Sequence, residues 1–233
     1  MNAWLDFARG PAFVFAFSFM LLGLARHVVV TVWDMVRTVR RAGDKTVPYR
    51  SAATATLKWL FPLGKLHRQP LFSVTSILFH VAILVVPLFL AGHIALWARG
   101  LGWSWPALSN EVADVLTITA VVTAAVLLVL RIASSATRAL SRLQDFVLPP
   151  IIAVPFATGF LVMHPQLNPF SFEATLFVHI MSANLVFILM PITKLSHAVL
   201  LPSTQLVGEL GWRWPMDSGA KVAAALHKEE EPV

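Results

Sequence analysis

Five apolar stretches set the strongest constraint on how this 233-residue sequence folds. A helix needs about 20 apolar residues to cross the roughly 30 Å hydrocarbon core of a membrane. The stretches run from Pro11 to Val36, Leu71 to Trp97, Glu111 to Ile132, Phe146 to Met163 and Phe172 to Leu201. Only 13% of the residues are charged, against about 25% in soluble domains. We therefore predict an all-α integral membrane protein, a bundle of five transmembrane helices.

One membrane domain accounts for most of the chain. We assign residues 1–202 to it and residues 203–233 to a polar cytoplasmic tail. The first helix is expected to be retained rather than cleaved as a signal peptide. Arg9 is the only basic residue before its apolar run, and no small-residue cleavage site follows that run.

Basic residues alternate between the loops and thereby predict the topology. The loops between helices one and two and between helices three and four, and the tail, are rich in Lys and Arg. The loop after helix two offers Arg99 alone, and the loop after helix four has no basic residue. The positive-inside rule then places the N-terminus outside and the C-terminus in the cytoplasm. Tryptophans also suit the two interfaces. The outer interface would have Trp97, Trp103 and Trp105, and the inner interface would have Trp59, Trp212 and Trp214.

The loop from Thr38 to Pro70 is long for a membrane bundle, and its segment Ala52 to Leu66 is predicted to form a short interfacial helix. A basic segment of this kind rests on anionic lipid headgroups. A docking surface for a cytoplasmic subunit is the second interpretation, and the two are compatible.

The absence of cysteine excludes several kinds of site in this chain. Disulfides, Cys-ligated zinc and iron–sulfur clusters need thiolates, and covalent haem attachment needs Cys-x-x-Cys-His. The net charge of +6 does not indicate nucleic-acid binding, because the basic residues lie beside apolar segments, as membrane topology requires.

Four of the eight histidines lie inside two predicted helices. His80 and His93 are on helix two, and His179 and His197 are on helix five. Ionisable side chains at membrane depth are costly and usually mark function. In a continuous helix the 18 residues from His179 to His197 make five turns, about 27 Å along one face. The 13 residues from His80 to His93 rise about 20 Å with an offset of about 140°, which a kink at Pro87 would reduce.

Depth pairs these histidines across the two antiparallel helices. His93 and His179 lie toward the outer face, and His80 and His197 lie toward the inner face. Haem iron takes imidazole ligands, and two bis-histidine sites suit a protein that moves electrons across a membrane. Interhelical hydrogen bonding is the alternative for a single histidine, but four matched by depth favour two b-type haems. Zinc or copper would need them to converge at one depth.

The remaining histidines are not assigned as iron ligands. His27 is expected to be a packing group or a polar group on the haem-propionate side, and capping, solvated or hydrogen-bonded positions are expected for His67, His164 and His227. Three cations are candidates for pairing with haem propionates: Arg26, Arg131 and Lys194. Snorkelling to the interface explains Arg131 and Lys194 as well.

Helix five carries a fairly specific pattern: His179, a proline twelve residues on at Pro191, then Thr193-Lys194-Leu195, and His197 six residues after the proline. It resembles the cytochrome b (gamma) subunit of membrane-bound respiratory nitrate reductase. Phe79-His80 and Gly92-His93 resemble the Phe-His and Gly-His pairs on that family's second helix. The wider family includes haem b subunits of heterodisulfide-reductase-like and hydrogenase complexes. Helix count and topology agree over most of the chain.

The resemblance implies that the four histidines bind two haems b. It also implies a quinone site, for menaquinone or ubiquinone, beside the outer haem, and an iron–sulfur subunit docked near one haem. Our candidate quinone neighbours are Gly92, Trp97 and Arg99. Close helix packing explains the glycine equally well, and interface anchoring explains the other two.

Two departures from the family bear on the quinone site and on nitrate as terminal substrate. The helix-two histidines are further apart here, as though three residues were inserted around Pro87. A lysine that follows Glu-Val at the start of helix three in nitrate reductases is replaced by Ala113.

We therefore expect a membrane-anchoring dihaem cytochrome b subunit of a multi-subunit oxidoreductase. It would transfer electrons between the quinone pool and an iron–sulfur partner subunit, in the bacterial cytoplasmic (inner) membrane. One alternative keeps the haems without a quinone site, as a relay between redox subunits on opposite sides. A second is a non-haem transporter or assembly protein whose histidines are structural. No nucleophile–base pair or phosphate-binding loop is visible in the sequence.

Overall fold

The described part of the chain is built from helices without strands. The computed structural model describes residues 2–41, 46–60, 69–214 and 217–230. Its α-helices are α1 (Asn2–Phe7), α2 (Phe13–Arg41), α3 (Tyr49–Leu60), α4 (Pro70–Phe89), α5 (Ala91–Leu101), α6 (Asn110–Ala133), α7 (Ser135–Leu140), α8 (Leu143–Met163), α9 (Phe172–Ile192), α10 (His197–Arg213) and α11 (Ser218–Ala225).

Among the described residues, five helical segments are long and apolar enough to cross a membrane, as many as predicted, and the all-α class is confirmed for this part of the chain. They are Ala3–Arg41, Pro70–Phe89, Asn110–Ala133, Leu143–Met163 and Phe172–Ile192. Only 11% to 22% of the most apolar part of each span is buried within the chain. Most of the apolar surface therefore faces outward, as it does in a protein whose solvent is lipid.

The first span begins at Asn2 rather than at Pro11 and contains a π-helical segment, Ala8–Ala12. Pro11 lacks an amide N–H and its ring crowds the preceding turn, so a widened turn forms around it. The buried Asn184 side chain of α9 donates from Nδ2 to the Ala8 carbonyl at 3.0 Å. That bond ties the widened turn to the last span.

The second predicted span, Leu71 to Trp97, is two helices rather than one. Leu90 separates α4 from α5 with extended backbone (φ −72°, ψ 129°), three residues beyond the kink expected at Pro87. A break in hydrocarbon is tolerated only where the freed carbonyls find donors. The last four carbonyls of α4 do: Val86 O accepts from Leu90 N, Pro87 O from His93 Nδ1, Leu88 O from Trp105 Nε1 and Phe89 O from Leu108 N, all at 2.9–3.0 Å.

The fifth predicted span, Phe172 to Leu201, is also interrupted. The helix ends at Ile192, Thr193 is extended (φ −125°, ψ −175°), and a 3-10 turn at Lys194–Ser196 leads into α10. The five-turn spacing from His179 to His197 is therefore wrong, because it assumed a continuous helix. Helix α10 continues to Arg213, past the domain boundary predicted at residue 202.

The chain divides into two compact units. The first comprises residues 1–19 and 66–189. Within it, α6 packs against both α4 and α8. The buried residues of α6 have small side chains, among them Ala113, Thr117, Ala120 and Ala124. Small side chains at three- and four-residue spacing let membrane helices approach closely.

The second unit comprises residues 20–65 and 190–233. Helix α3 packs on α10 and buries Ala52 and Thr56. It supports the predicted interfacial helix as far as Leu60; positions 61–66 of that prediction, and His67, lie outside the described residues. The Trp212 side chain, predicted as an inner anchor, is also outside them.

The closure of the Leu90 break predicts the effect of Trp105→Phe. This change keeps an aromatic side chain but removes the Nε1–H that donates to the Leu88 carbonyl at 2.9 Å. Leaving such a carbonyl without its donor costs about 1–3 kcal/mol. We expect thermal unfolding in detergent to show that loss. Trp103→Phe is the matched control, because Trp103 is 65% exposed, and equal losses in both variants would contradict this account.

Candidate functional site

Two of the four predicted ligand histidines meet in the first unit. The imidazole rings of His93 on α5 and His179 on α9 have centroids 6.2 Å apart and planes only 11° from parallel. Both side chains are partly buried. The predicted outer pair is therefore brought together across two different helices.

The Nδ1 atom of each ring is held by a backbone carbonyl from a bent or broken helix. His93 Nδ1 donates to Pro87 O at 3.0 Å, and His179 Nδ1 donates to Pro155 O on α8 at 2.8 Å. A proton on Nδ1 leaves Nε2 with its lone pair as the metal-binding atom. Metal-ligating histidines almost always donate their other ring N–H in this way. Among the described residues, neither Nε2 atom has a hydrogen-bond partner.

The spacing of the two rings fits one metal held between them. An imidazole nitrogen lies about 2.0–2.1 Å from a bound first-row metal, and the ring centre is about 1.1 Å further back. Two such ligands on opposite sides of one metal have ring centroids about 6.3 Å apart by the same arithmetic, close to the 6.2 Å found. Offset aromatic pairs reach similar separations. The two fixed Nδ1 bonds favour ligation, because they leave both Nε2 lone pairs to bind.

Gly159 gives His179 its place against α8. A Cβ at this position would lie 3.0 Å from His179 Cε1 and 3.2 Å from Nδ1. Only a glycine therefore lets the ring come close enough to reach the Pro155 carbonyl one turn earlier.

The predicted inner pair is divided between the two units. His80 on α4 has its Nδ1 bonded to Ser76 O at 2.7 Å, and His197 at the start of α10 has its Nδ1 bonded to Lys194 O at 2.7 Å. Each residue also has a further interaction. All four candidate ligands thus share the same local arrangement, with Nδ1 fixed by a backbone carbonyl.

Two of the remaining histidines use their ring nitrogens differently. His27 Nε2 donates to the Pro191 carbonyl at 2.7 Å. His164 ends α8, as predicted, but its Nε2 also lies 3.1 Å from Asp114 Oδ2 on α6. With Nδ1 on Phe160 O at 2.9 Å, both nitrogens of His164 are engaged, so it is not available as an iron ligand.

The three cations proposed for propionates lie in different settings. Arg131 donates from Nη1 to Ser141 Oγ at 2.8 Å, which links the end of α6 to the residue that follows α7. Arg26 is exposed on α2. Lys194 begins the 3-10 turn before α10, and its backbone carbonyl accepts a hydrogen bond from His197 Nδ1.

The quinone candidates are on α5, beside His93. Gly92 is exposed, and a Cβ there would meet no atom of the described residues within 4 Å. Close packing against the described residues therefore does not explain that glycine. Trp97 packs against Trp105 and Phe17, with centroids 6.2 and 6.0 Å away. Arg99 is exposed, with Nε on Ala95 O at 3.3 Å.

Three polar or small residues that matter here escaped the sequence interpretation. Asp114 is an acidic residue inside an apolar helix, and Asn184 is a lone amide in another; both carry a signal by their polarity at membrane depth. The Oδ1 atom of Asn184 is buried without a partner among the described residues. Gly159 carries no such signal, because its role follows from the approach of a distant ring.

Among the described residues, no group of three or more His, Cys, Asp or Glu side chains comes together around a point where a metal ion could sit. Two imidazoles suit a metal whose other ligands come from a macrocycle. The fold and site thus define a multi-pass helical membrane protein with a paired-histidine site.

Comparison with known proteins places the chain in a family. No family model matches it, and no solved structure matches it. A protein of Nitratidesulfovibrio vulgaris (strain Hildenborough) is 33% identical over 218 residues, which cover 91% of this chain and 94% of that protein. The chain belongs to the same family as this bacterial protein.

The contact between Gly159 and His179 predicts the effect of Gly159→Ala. The added methyl group would displace the imidazole and lengthen its bond to Pro155 O. Overpacking of this kind costs about 1–3 kcal/mol. Gly100→Ala is the control, because it adds the same methyl group to open space on α5. Unfolding curves in detergent should show a loss for the first variant only; an unchanged Gly159→Ala protein would contradict the placement of His179.

Proposed function

We propose that the chain is a membrane-anchoring dihaem cytochrome b subunit of a multi-subunit oxidoreductase. It would carry electrons across the bilayer between the quinone pool and an iron–sulfur partner subunit. The observation that carries the proposal is the His93–His179 pair: parallel rings 6.2 Å apart, each with Nδ1 anchored on a backbone carbonyl. The centroid distance and the anchored Nδ1 atoms support bis-histidine ligation, in which Nε2 of each ring binds the metal.

The chain's own residues would hold the group and fix its orientation. His93 and His179 are assigned to the outer haem, and His80 and His197 to the inner one. Bound there, haem iron supplies reversible one-electron transfer at a potential tuned by its ligands and burial. The carbonyls of Pro87 and Pro155 hold two of the ligands in the tautomer that leaves the Nε2 lone pair for the metal.

The proposed orientation is N-terminus outside and C-terminus in the cytoplasm, in the bacterial inner membrane. Its support is the distribution of basic residues, since Arg40 and Arg41 end the first span and Lys58 lies on α3. The positive-inside rule places such segments on the cytoplasmic side. The iron–sulfur partner is proposed on the family resemblance.

A quinone site beside the outer pair is supported by the open face at Gly92. This residue precedes His93 at the start of α5, and space for a Cβ is available there. A quinone ring could therefore approach the outer haem ligand from this side. The exposed Arg99 lies on the same helix. Nitrate reductases have a lysine at the start of helix three where this chain has Ala113. Any proton transfer at the proposed quinone site would therefore use other groups.

Ligand removal tests the haem assignment directly. We expect His93→Ala and His179→Ala each to lower the haem-to-protein ratio from two to one, because each removes one iron ligand of the same site. The pyridine haemochrome assay and the reduced-minus-oxidised spectrum measure this. His164→Gln is the control and should keep both haems, because Asp114 and Phe160 O already engage its ring.

A b-type spectrum that survives replacement of all four histidines by Ala would refute the ligand assignment. Complete absence of haem from correctly inserted wild-type protein, expressed with sufficient haem, would instead favour the transporter or assembly-protein alternative.

Filling the open face separates a quinone-linked protein from a simple relay. Gly92→Leu should retain haem, since a Cβ at this position meets no described atom within 4 Å, but should slow haem reduction by a quinol analogue at least tenfold. Gly100→Leu, on the same helix and also in open space, should reduce at the wild-type rate. If quinol reduces neither variant nor the wild type, the relay without a quinone site is the better description.

A further inference from the structure

Helix α3 of the second unit lines an open basic groove together with Arg213 of α10. Its volume is 790 Å³ and its lining includes Arg50, Lys58 and Arg213 together with the hydroxyl-bearing Tyr49 and Thr54. Among the described residues that line it, none is acidic. Glu209 reaches Arg213 Nε from outside the lining at 3.2 Å, so the groove keeps an excess of about two positive charges. A groove of this size accommodates a small anionic ligand.

The cations on α3 form one stripe along the groove. Arg50, Thr54 and Lys58 are spaced at i, i+4 and i+8, which puts them on neighbouring turns of the same helix face. The backbone positions of the two cations are about 12 Å apart along the helix axis. An anion with two phosphates would match both.

The position of the groove indicates a membrane lipid as its ligand. Helix α2 ends its span at Arg41, and α3 begins eight residues later at Tyr49, within about 29 Å of extended chain. On the other side, α10 follows the last span after a single 3-10 turn. Both walls of the groove are therefore tethered close to the membrane boundary.

Apolar surface continues next to the cationic stripe. Leu57 is 59% exposed, and seven residues of helix place it within about 20° of Arg50 around the axis. A basic face beside an exposed apolar face is the pattern of a helix that rests at the lipid interface. An acidic protein partner or a free phosphate would match the charges but would leave this leucine exposed.

We propose that the α3–α10 groove binds the headgroup of an anionic phospholipid, with Arg50 and Lys58 on its phosphates and Leu57 on its acyl chains. A lipid with two phosphates should bind more tightly than one with a single phosphate. This role is independent of the haem proposal, since none of its residues is a proposed iron ligand.

The test uses the full-length protein purified in detergent, with native mass spectrometry to count bound lipids. The probes are cardiolipin, phosphatidylglycerol and phosphatidylcholine at equal concentration. The variant Arg50→Gln/Lys58→Gln removes two charges of the groove. The matched control Arg37→Gln/Arg41→Gln removes two exposed charges from the end of α2, in the same unit. Helical circular dichroism confirms that both variants fold.

We expect the wild type to retain cardiolipin most strongly and phosphatidylcholine least. The groove variant should retain at least tenfold less cardiolipin, and the control should stay within twofold of the wild type. Equal losses of cardiolipin in both variants would mean that general surface charge, rather than the groove, retains the lipid. That result would overturn the proposal. Equal retention of phosphatidylcholine would overturn it as well.

Two further arms separate the other ligands. Displacement of bound cardiolipin by millimolar inorganic phosphate would make the groove a phosphate site rather than a lipid site. Unchanged lipid binding in Arg50→Gln/Lys58→Gln, with loss of binding to a poly-glutamate probe, would make it a docking surface for an acidic protein. Either result overturns the proposal.

Discussion

Inside a bilayer, a backbone carbonyl that loses its helical partner has no water to turn to, and the candidate site is built on that constraint. The break at Leu90 leaves the last carbonyls of α4 without helical partners. Three donors from beyond the break bond to them: His93 Nδ1, Trp105 Nε1 and Leu108 N. One of those donors is a proposed iron ligand. The bond from His93 Nδ1 to the Pro87 carbonyl therefore has two effects. It satisfies a carbonyl at the helix break, and it fixes the tautomer and direction of the His93 imidazole.

The candidate ligands differ in how far their anchors lie along the chain. His80 bonds to a carbonyl one turn back in its own helix, and His197 bonds to the 3-10 turn just before it. His179 instead bonds across to α8, 24 residues away in the sequence, where Gly159 makes room for it. The orientation of this ring consequently depends on the packing of two helices, and it is the ligand most sensitive to changes elsewhere in the first unit.

Much of the framework could be predicted from the sequence, because hydropathy and length report directly on membrane spans. The five spans were predicted in this way, and the pairing of His93 with His179 was predicted from their matching depth on antiparallel helices. The interruptions at Leu90 and Thr193 were not placed, since each depends on donors supplied by distant residues or by a local side chain. The five-turn spacing on helix five failed for that reason. Gly159 was missed because its role exists only when the His179 ring lies against it.

The most direct measurement is a cryo-electron microscopy map of the purified protein at its full haem content, at a resolution that separates porphyrin from side chains. The account predicts one porphyrin between His93 and His179, with iron bound to both Nε2 atoms and both Nδ1 atoms still on the carbonyls of Pro87 and Pro155. A map in which haem is present elsewhere, while these two rings contact each other or point apart, would contradict it.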